Sequence, residues 1–276
     1  MFFVTGATGN AGGAVARALR GAGHEVRALV LESHESGLPP GVEGVAGDLN
    51  RPATFAQGLA GARAMFLLSG YERIDELLAE ARRAEVERIV LLSSSAAPGG
   101  DLTNAVARYH ILSERAVRES GLAWTFVQPN SLMSNTLRWL PQLRAGDVIH
   151  DAFGDVAVAM IDPADLAAVA VKALATKDLE RQSLRLSGPE AIYPADRVRI
   201  LGAALGRDLR FEPWSNDKAR EEMSASMPAE YVDAFFSFFV DGTVDETTVL
   251  PTVREVLRRE PRSFEQWVAE NVESLR

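Results

Sequence analysis

Residues 2–19 read FFVTGATGNAGGAVARAL, and this stretch decides the fold. An apolar run of strand length enters a turn that contains Gly6, Gly9 and Gly12, and an alanine-rich pattern of helical spacing leaves it. One glycine allows the tight turn, a second lets backbone N–H groups come close to an anion, and the third lets helix and strand pack together. The helix directs its unpaired N–H groups and the positive end of its dipole at the same turn.

This spacing predicts a dinucleotide-binding turn; the alternative is an ordinary connection between a strand and a helix. The side chains of Thr5 and Asn10 are expected to add polarity to the turn. We expect the pyrophosphate to lie against six residues: Gly6, Thr8, Gly9, Asn10, Ala11 and Gly12.

Composition narrows the classes of partner. The chain has 276 residues, of which 47% are apolar, and its net charge of -9 argues against nucleic acid or an anionic membrane as the main partner. The lack of cysteine excludes disulfides, thiolate zinc sites and a cysteine nucleophile, and fits the cytoplasm as the expected location. No apolar stretch reaches the roughly 20 residues that span a bilayer. We predict no metal site, because the four histidines lack metal-ligand spacing: His24, His34, His110 and His150.

Apolar strands alternate with helical patterns as far as Pro129, which indicates a parallel sheet covered on both faces. The predicted fold class is therefore α/β, with a Rossmann doubly wound parallel sheet in residues 1–130. Residues 131–276 are expected to form mainly a smaller C-terminal α+β domain on the substrate side, with residues 164–186 returning to the first domain. One helix is predicted over 104–120 and another over 52–59.

Several motifs together resemble the NmrA-like group of atypical short-chain dehydrogenases/reductases. They are TGATG with Gly12 (5–12), GDL (47–49), LLSS (91–94), HILSE (110–114), QPN (128–130), MSN (133–135), DPAD (162–165) and PRSFEQW (261–267). The resemblance implies an NAD(P)-binding Rossmann fold, with an adenine-side loop at 47–49 and a nicotinamide-side loop that comprises 128–130 and 133–135. Further cofactor contacts are expected at the strand ends: Leu31, Glu32, Asp48, Leu49, Ser69, Gly70, Ser93, Pro129 and Asn130.

The chain departs from this family at the catalytic pair. The resemblance places His110 and Glu114 where classical members have a proton-donating Tyr and a Lys, and Tyr109 is followed by Ser113 instead of Lys. We expect the proton to come from His110, water or a phenol of the substrate, while Ser94 or Ser95 orients the carbonyl oxygen. The alternatives are a histidine bound to a neighbour, serines that cap the turn, and Glu114 as a solvated helix residue or a ribose acceptor.

The choice of cofactor is open. Glu32 lies 20 positions after Gly12, where an acidic residue binds the ribose hydroxyls, and Leu31 replaces the arginine that the family uses for the 2′-phosphate. Both favour NADH, whereas the family favours NADPH, and Arg27, Ser33 or His34 could still reach a phosphate. NADP(H) is placed slightly ahead of NAD(H).

Apolar residues after Asn130 are expected to line a substrate pocket between the Rossmann domain and this part of the chain. A stripe over 231–239 has helical spacing, typical of core packing but equally suited to a pocket wall. The chain is thus expected to be an NAD(P)H-dependent reductase of a ketone or quinone on a hydrophobic, aromatic small molecule, such as a polyketide. The alternative is a catalytically inactive redox sensor of the NmrA type. The substrate contacts named are Tyr109, Met133, Trp139, Phe153, Met160 and Trp214, with Met223 and Met227 beside them.

Overall fold

The computed structural model describes residues 1–31 and 37–276. Glu32, Ser33 and His34, three candidates for the ribose end of the cofactor site, lie outside the described residues. In chain order the strands and helices are β1 (Phe2–Val4), α1 (Asn10–Gly21), β2 (Val26–Val30), β3 (Glu43–Ala46), β4 (Ala64–Leu68), α2 (Ile74–Arg83), β5 (Arg88–Leu92), α3 (Ala105–Glu119), β6 (Ala123–Pro129), α4 (Leu140–Ala145), β7 (Val148–Asp151), α5 (Pro163–Ala175), β8 (Gln182–Leu186), α6 (Pro194–Leu205), β9 (Arg210–Pro213), α7 (Asn216–Ser224), α8 (Ala229–Phe239), α9 (Thr252–Leu257) and α10 (Phe264–Asn271).

The chain divides into two compact units. The first comprises residues 1–98, 108–129 and 163–185, and the second comprises residues 99–107, 130–162 and 186–276. Residues 99–107 thus lie in the second unit, although the sequence analysis placed them within residues 1–130. Among the described residues, no helix is both long enough and apolar enough to cross a membrane.

The first unit is built on a seven-stranded parallel sheet with the order β3-β2-β1-β4-β5-β6-β8. The chain runs outward from β1 through β2 to β3 and then returns to add β4 on the other side of β1. Ligands of such sheets bind where the strand order reverses, outside the carboxyl ends of the strands, which here means the ends of β1 and β4. The predicted Rossmann α/β fold is confirmed.

The strands of this sheet are apolar throughout because both faces are covered. Phe3, Met65 and Ile89 lie in register on β1, β4 and β5, and all three are fully buried. On β5, the buried Arg88 donates to the carbonyls of Leu174 and Thr176 at 3.1 and 2.7 Å, and thereby fixes the C-terminal end of α5.

The second unit contains a short parallel pair, β7 and β9, together with the helices after residue 130. Its core includes Trp139, Ile149 and Phe264, which are almost completely buried. A capping box between Ser263 and Gln266 begins α10, so the motif at 261–267 has a local structural role in this chain.

The prediction of one continuous helix over residues 52–59 is wrong. The segment forms two short 3₁₀ helices, Pro52–Thr54 and Ala56–Leu59. The hydroxyl of Thr54 accepts from the Asp48 amide at 3.0 Å and donates to the Arg51 carbonyl at 2.7 Å. Such side-chain bonds to the backbone compete with a continuous helix.

Candidate functional site

The turn between β1 and α1 requires two of its three glycines for steric reasons. Gly6 has a φ of +67°, and a Cβ there would lie 2.5 Å from Cδ1 of Leu68. A Cβ on Gly12 would lie 2.3 Å from the Gly6 carbonyl oxygen and 2.6 Å from that of Thr5. Because these contacts at Gly12 are with backbone atoms, α1 can lie this close to the end of β1 only if residue 12 has no side chain.

Gly9 serves the turn in a different way. Among residues 1–31 and 37–276, a Cβ on Gly9 would meet only the Gly6 oxygen, at 3.4 Å, so this part of the fold leaves room there. Thr8, Gly9 and Asn10 are exposed, and the first turn of α1 carries no acidic side chain. Since the first amides of a helix have no acceptor within it, the open surface at Gly9 and the start of α1 fit the pyrophosphate of a dinucleotide.

Thr5 does not add polarity to this turn, contrary to expectation. It is fully buried, and its hydroxyl donates to the Phe66 carbonyl at 3.2 Å and accepts from the Leu68 amide at 3.0 Å. The side chain therefore joins β1 to β4 at the carboxyl edge of the sheet.

The expectation that Arg27 could reach a 2′-phosphate is not supported. Its guanidinium donates to Glu43 at 3.0 Å and to the carbonyls of Gly58 and Ala60 at 3.3 and 3.0 Å. Leu31, directly after β2, has 56% of its surface exposed.

Asp48 fixes the loop after β3. Its carboxylate accepts from the Asn50 amide at 2.9 Å and from Nε of Arg51 at 3.1 Å, and these two bonds hold the pKa of Asp48 below its usual value. Leu49, the next residue, packs against the core of the first unit.

The loop after β4 is held by its neighbours. The Ser69 hydroxyl donates to the Leu92 carbonyl at 2.8 Å, and the Gly70 amide donates to the Ser113 hydroxyl at 3.0 Å. A Cβ on Gly70 would lie 3.3 Å from the Tyr109 ring. Tyr109, predicted to contact substrate, thus packs within the first unit against this loop.

Glu114 is not a solvated helix residue, so that interpretation is wrong, while its role as a ribose acceptor stays a prediction. It is 4% exposed, and its Oε1 accepts from the Ser93 hydroxyl at 2.6 Å and from the Gln128 amide at 2.7 Å. Arg118 donates to the other oxygen at 3.0 Å. The carboxylate at the family's Lys position therefore ties α3 to the ends of β5 and β6.

The two predicted catalytic serines differ in their surroundings. The Ser94 hydroxyl accepts from the Ala96 amide at 3.2 Å, which is the turn-capping role considered as the alternative. Ser95 is buried, and its amide donates to the Pro129 carbonyl at 3.0 Å. Both lie directly after β5, at the carboxyl edge of the sheet.

The environment of His110 works against its predicted role as an imidazolium proton donor. Burial lowers the pKa of His110 to about 3, so the ring is neutral near pH 7. Its Nδ1 is shielded from solvent and has no hydrogen-bond partner among the described residues. The ring packs against that of Tyr109, with 4.2 Å between the two centroids.

The side chain of Asn130 is turned away from solvent, with 2% exposed surface. Its Nδ2 donates to the carbonyls of Ala159 and Glu246 at 3.3 and 3.2 Å. Its Oδ1 is shielded from solvent and has no hydrogen-bond partner among the described residues, so the cofactor contact at Asn130 stays a prediction.

The second unit contains a cavity of about 370 Å³. Four of the predicted substrate residues line it: Trp139, Phe153, Met160 and Trp214. Met133 does not line it but lies in the core of the unit at 1% exposure, and Tyr109 lies in the first unit. Further apolar lining comes from Met223, Met227, Phe235 and Phe239.

Sequence reasoning missed the charged residues of this cavity. Arg138 donates through Nε to Asp151 at 3.1 Å, and the indole of Trp139 donates to the same carboxylate at 2.7 Å. Arg197, from α6, lines the cavity and is 5% exposed, with its guanidinium carbon 4.9 Å from the centre of the Trp139 ring. An arginine in a helical sequence pattern is normally expected to be exposed to solvent. Only the folded chain brings Arg138 and Arg197 to the wall of the same cavity.

Comparisons with known proteins agree with this architecture. Residues 6–177 match the NAD(P)H-binding family. The chain is 39% identical over 280 residues to the (4-alkanoyl-5-oxo-2,5-dihydrofuran-3-yl)methyl phosphate reductase of Streptomyces griseus, a match that covers 100% of this chain and 99% of that protein. It is 32% identical over 277 residues to the NAD(P)H azoreductase of Xenophilus azovorans, covering 97% and 96%.

A solved structure shares the fold along its full length. The NADPH complex of an NADPH-dependent quinone oxidoreductase from Escherichia coli superposes with a TM-score of 0.79 and 21% identity, covering 100% of this chain and 99% of that one. Together with the glycine turn, these matches show that the chain belongs to the NAD(P)H-binding family and is an NAD(P)H-dependent oxidoreductase.

Proposed function

We propose that this chain reduces a ketone or quinone conjugated within a hydrophobic, planar small molecule, with NADPH slightly preferred over NADH. The observation that carries the proposal is the cavity of the second unit, whose walls are largely aromatic and methionine side chains. Apolar pockets with a few polar groups are the usual sites of small-molecule binding, and about 370 Å³ suits a compact ligand.

In this proposal the first unit holds the dinucleotide. The pyrophosphate would lie on the turn at Gly6, Gly9 and Gly12 and on the first amides of α1, because that surface is open and free of acidic side chains. Asp48 and Leu49 would lie on the adenine side, and the backbone at Pro129 and Asn130 on the nicotinamide side. When bound, the nicotinamide supplies a hydride to the acceptor.

The activities of the relatives support a conjugated acceptor. One relative reduces an alkanoyl furanone that carries a phosphate ester, and another is an azoreductase. The furanone and the azo group both contain unsaturated, polarised bonds. So does a quinone, the substrate class of the oxidoreductase that shares the fold. An aromatic polyketide ketone or a quinone belongs to the same chemical range.

The proton is assigned to water or to a hydroxyl of the substrate, because burial keeps His110 neutral. Ser94 and Ser95 remain the hydroxyls proposed to orient the acceptor oxygen. NADPH is placed slightly ahead of NADH only because the family that the motifs resemble favours it.

A turnover assay tests the proposal. Purified protein is mixed with NADPH or NADH and a panel of acceptors comprising menadione, an aromatic ketone and an azo dye, and the loss of reduced cofactor is followed by absorbance. We expect enzyme-like rates with at least one acceptor. Trp214→Ala, in the cavity wall, should raise KM for that acceptor about tenfold with unchanged cofactor affinity, because it removes a large contact surface.

Val249→Ala is the matched control, since Val249 is an exposed apolar residue of the same unit outside the cavity. It should leave KM unchanged. Tight cofactor binding without turnover on any acceptor would favour the sensor alternative and refute the proposed reaction. Turnover that Trp214→Ala leaves unaffected would refute the cavity as the acceptor site.

A further inference from the structure

We propose that the cavity of the second unit binds an acceptor with an anionic group, a phosphate monoester or a carboxylate, on an apolar body, and that Arg197 pairs with this group. The inference takes the acceptor site from the proposed function and adds the chemical class of the ligand. It depends on the charges around Arg197, which no part of the proposed reaction uses.

Arg197 is a buried cation that forms no ion pair with a carboxylate of the described residues. Only 5% of its surface is exposed, and its Nε is shielded from solvent without a hydrogen-bond partner. Across residues 1–31 and 37–276, its side chain makes no hydrogen bond or ion pair, and its polar contact is with the face of Trp139. Burying an unpaired charge raises the free energy of the folded protein unless a bound ligand supplies the opposite charge.

The nearby carboxylates are already in use. Asp151 accepts from Arg138, from the indole of Trp139 and from the Ala152 amide at 2.9 Å. Glu222, at the cavity wall, forms an ion pair with Lys218 at 2.7 Å. Two arginines therefore face one shared carboxylate, which leaves one positive charge uncompensated.

Arg197 keeps its charge at neutral pH. Burial and the repulsion from Arg138 lower the pKa of Arg197 to about 10, and Asp151 opposes this change. A guanidinium presents a planar fork of donors that matches the oxygens of a phosphate or carboxylate. The remaining wall, including Phe153, Trp214 and Phe235, is suited to an apolar body.

The competing explanation is that Arg197 is structural and acts only by stacking on Trp139. The two explanations predict opposite effects of Arg197→Met, which keeps the length and apolar stem of the side chain. If Arg197 awaits an anion, the variant loses anion binding and is at least as stable to heat as the wild type, because an unpaired buried charge has been removed. If stacking is its role, the variant melts at a lower temperature.

Calorimetry with three naphthyl probes tests the inference in the presence of saturating NADP⁺, so that phosphate does not bind at the dinucleotide turn. The probes are 1-naphthyl phosphate, 1-naphthoate and neutral 1-naphthol. We expect at least one anionic probe to bind the wild type tenfold or more tightly than naphthol does, and the tighter of the two identifies the anionic group. Inorganic phosphate should bind at least tenfold more weakly than naphthyl phosphate, because it lacks the apolar body.

The deciding quantity is the ratio of the affinity for an anionic probe to the affinity for naphthol. Both affinities are measured on the same variant, so a general loss of binding cancels in the ratio. The ratio should fall to about one in Arg197→Met and recover in part in Arg197→Lys. It should stay at the wild-type value in Arg199→Met, a change of an exposed arginine on the same helix. A wild-type ratio near one, or a ratio that survives Arg197→Met, would overturn the inference.

The proposed function and this inference can be refuted independently of each other. Anion binding that depends on Arg197 in a protein that oxidises no NADPH would leave the inference standing and refute the reaction. Rapid quinone reduction with no preference for anionic probes would do the opposite.

Discussion

Glu114→Gln should lower the stability of the first unit and leave the rate of the reaction unchanged, because the hydrogen bonds of this carboxylate hold the fold together. Its two oxygens accept from Ser93, Gln128 and Arg118 at 2.6 to 3.0 Å, while the side chain is almost completely buried. At the corresponding position the family's classical members have a lysine that touches the cofactor. In this chain the residue instead ties the helix to two strand ends.

The expected loss follows from the three bonds. A glutamine oxygen can still accept from Ser93 and Gln128, but a hydrogen bond to a charged acceptor contributes roughly 1 kcal/mol more than a neutral one. The side chain of Arg118 is 45% exposed, so solvent screens its pair with Glu114, which contributes about 0.5 kcal/mol. With the bonds to Ser93 and Gln128 at roughly 1 kcal/mol each, the sum is about 2.5 kcal/mol, or a fall in Tm of roughly 5–10 °C for a chain of this size. Glu114→Ala should lose at least twice as much, because two buried donors would then lack an acceptor.

Urea unfolding and NADPH oxidation at saturating acceptor measure the two effects. Glu119→Gln is the matched control, since Glu119 lies on the same helix but is exposed, and it should change stability by less than about 0.5 kcal/mol. The reasoning is refuted if Glu114→Gln is no less stable than Glu119→Gln. It is equally refuted if kcat per folded molecule falls tenfold, because that would make Glu114 part of the reaction.

Three further changes test the fold and the site. Gly12→Ala should destabilise by about 3 kcal/mol in urea, because its Cβ would lie 2.3 Å from a backbone oxygen, whereas Gly9→Ala should cost about 1 kcal/mol; equal losses would contradict the geometry. His110 has a folded pKa of about 3, below its unfolded 6.5, so the unfolded state alone gains a proton between these values and stability is lost as pH falls through this window. By pH 5 the wild type should lose about 2 kcal/mol that His110→Gln retains, and parallel pH profiles of the two would refute this. Arg88→Met should destabilise by roughly 3 kcal/mol, because two carbonyls at the end of α5 lose their donor; an unchanged urea midpoint would contradict it.

The sequence predicted well what depends on neighbours along the chain. Gly12 acts through backbone atoms of Thr5 and Gly6, a few residues away, so the spacing alone indicates why it has no side chain, whereas the space at Gly6 is limited by the distant Leu68. Apolar strands that alternate with helices predict a parallel sheet for the same reason. The cavity-lining aromatics could be named because large apolar side chains gather wherever a chain excludes water.

Charged residues were misjudged because their burial depends on distant partners. Glu114 meets Ser93 and Gln128 from 21 and 14 positions away, and nothing in the helix pattern indicates it. From the sequence alone, Arg197 would similarly be taken for a solvent-exposed helix residue. In the fold its guanidinium lies over the Trp139 ring. Long-range contacts of this kind are set by the fold as a whole.

The central claim is that a nicotinamide dinucleotide binds where β1 turns into α1. A calorimetric titration of the wild type and of Gly9→Ala with NADPH tests it most directly, because the added methyl lies on the open surface of the turn and leaves the fold in place. The account predicts saturable binding of one NADPH per chain in the wild type and at least tenfold weaker binding in the variant. Absence of binding by NADPH and NADH, or equal affinity in the two proteins, would contradict it.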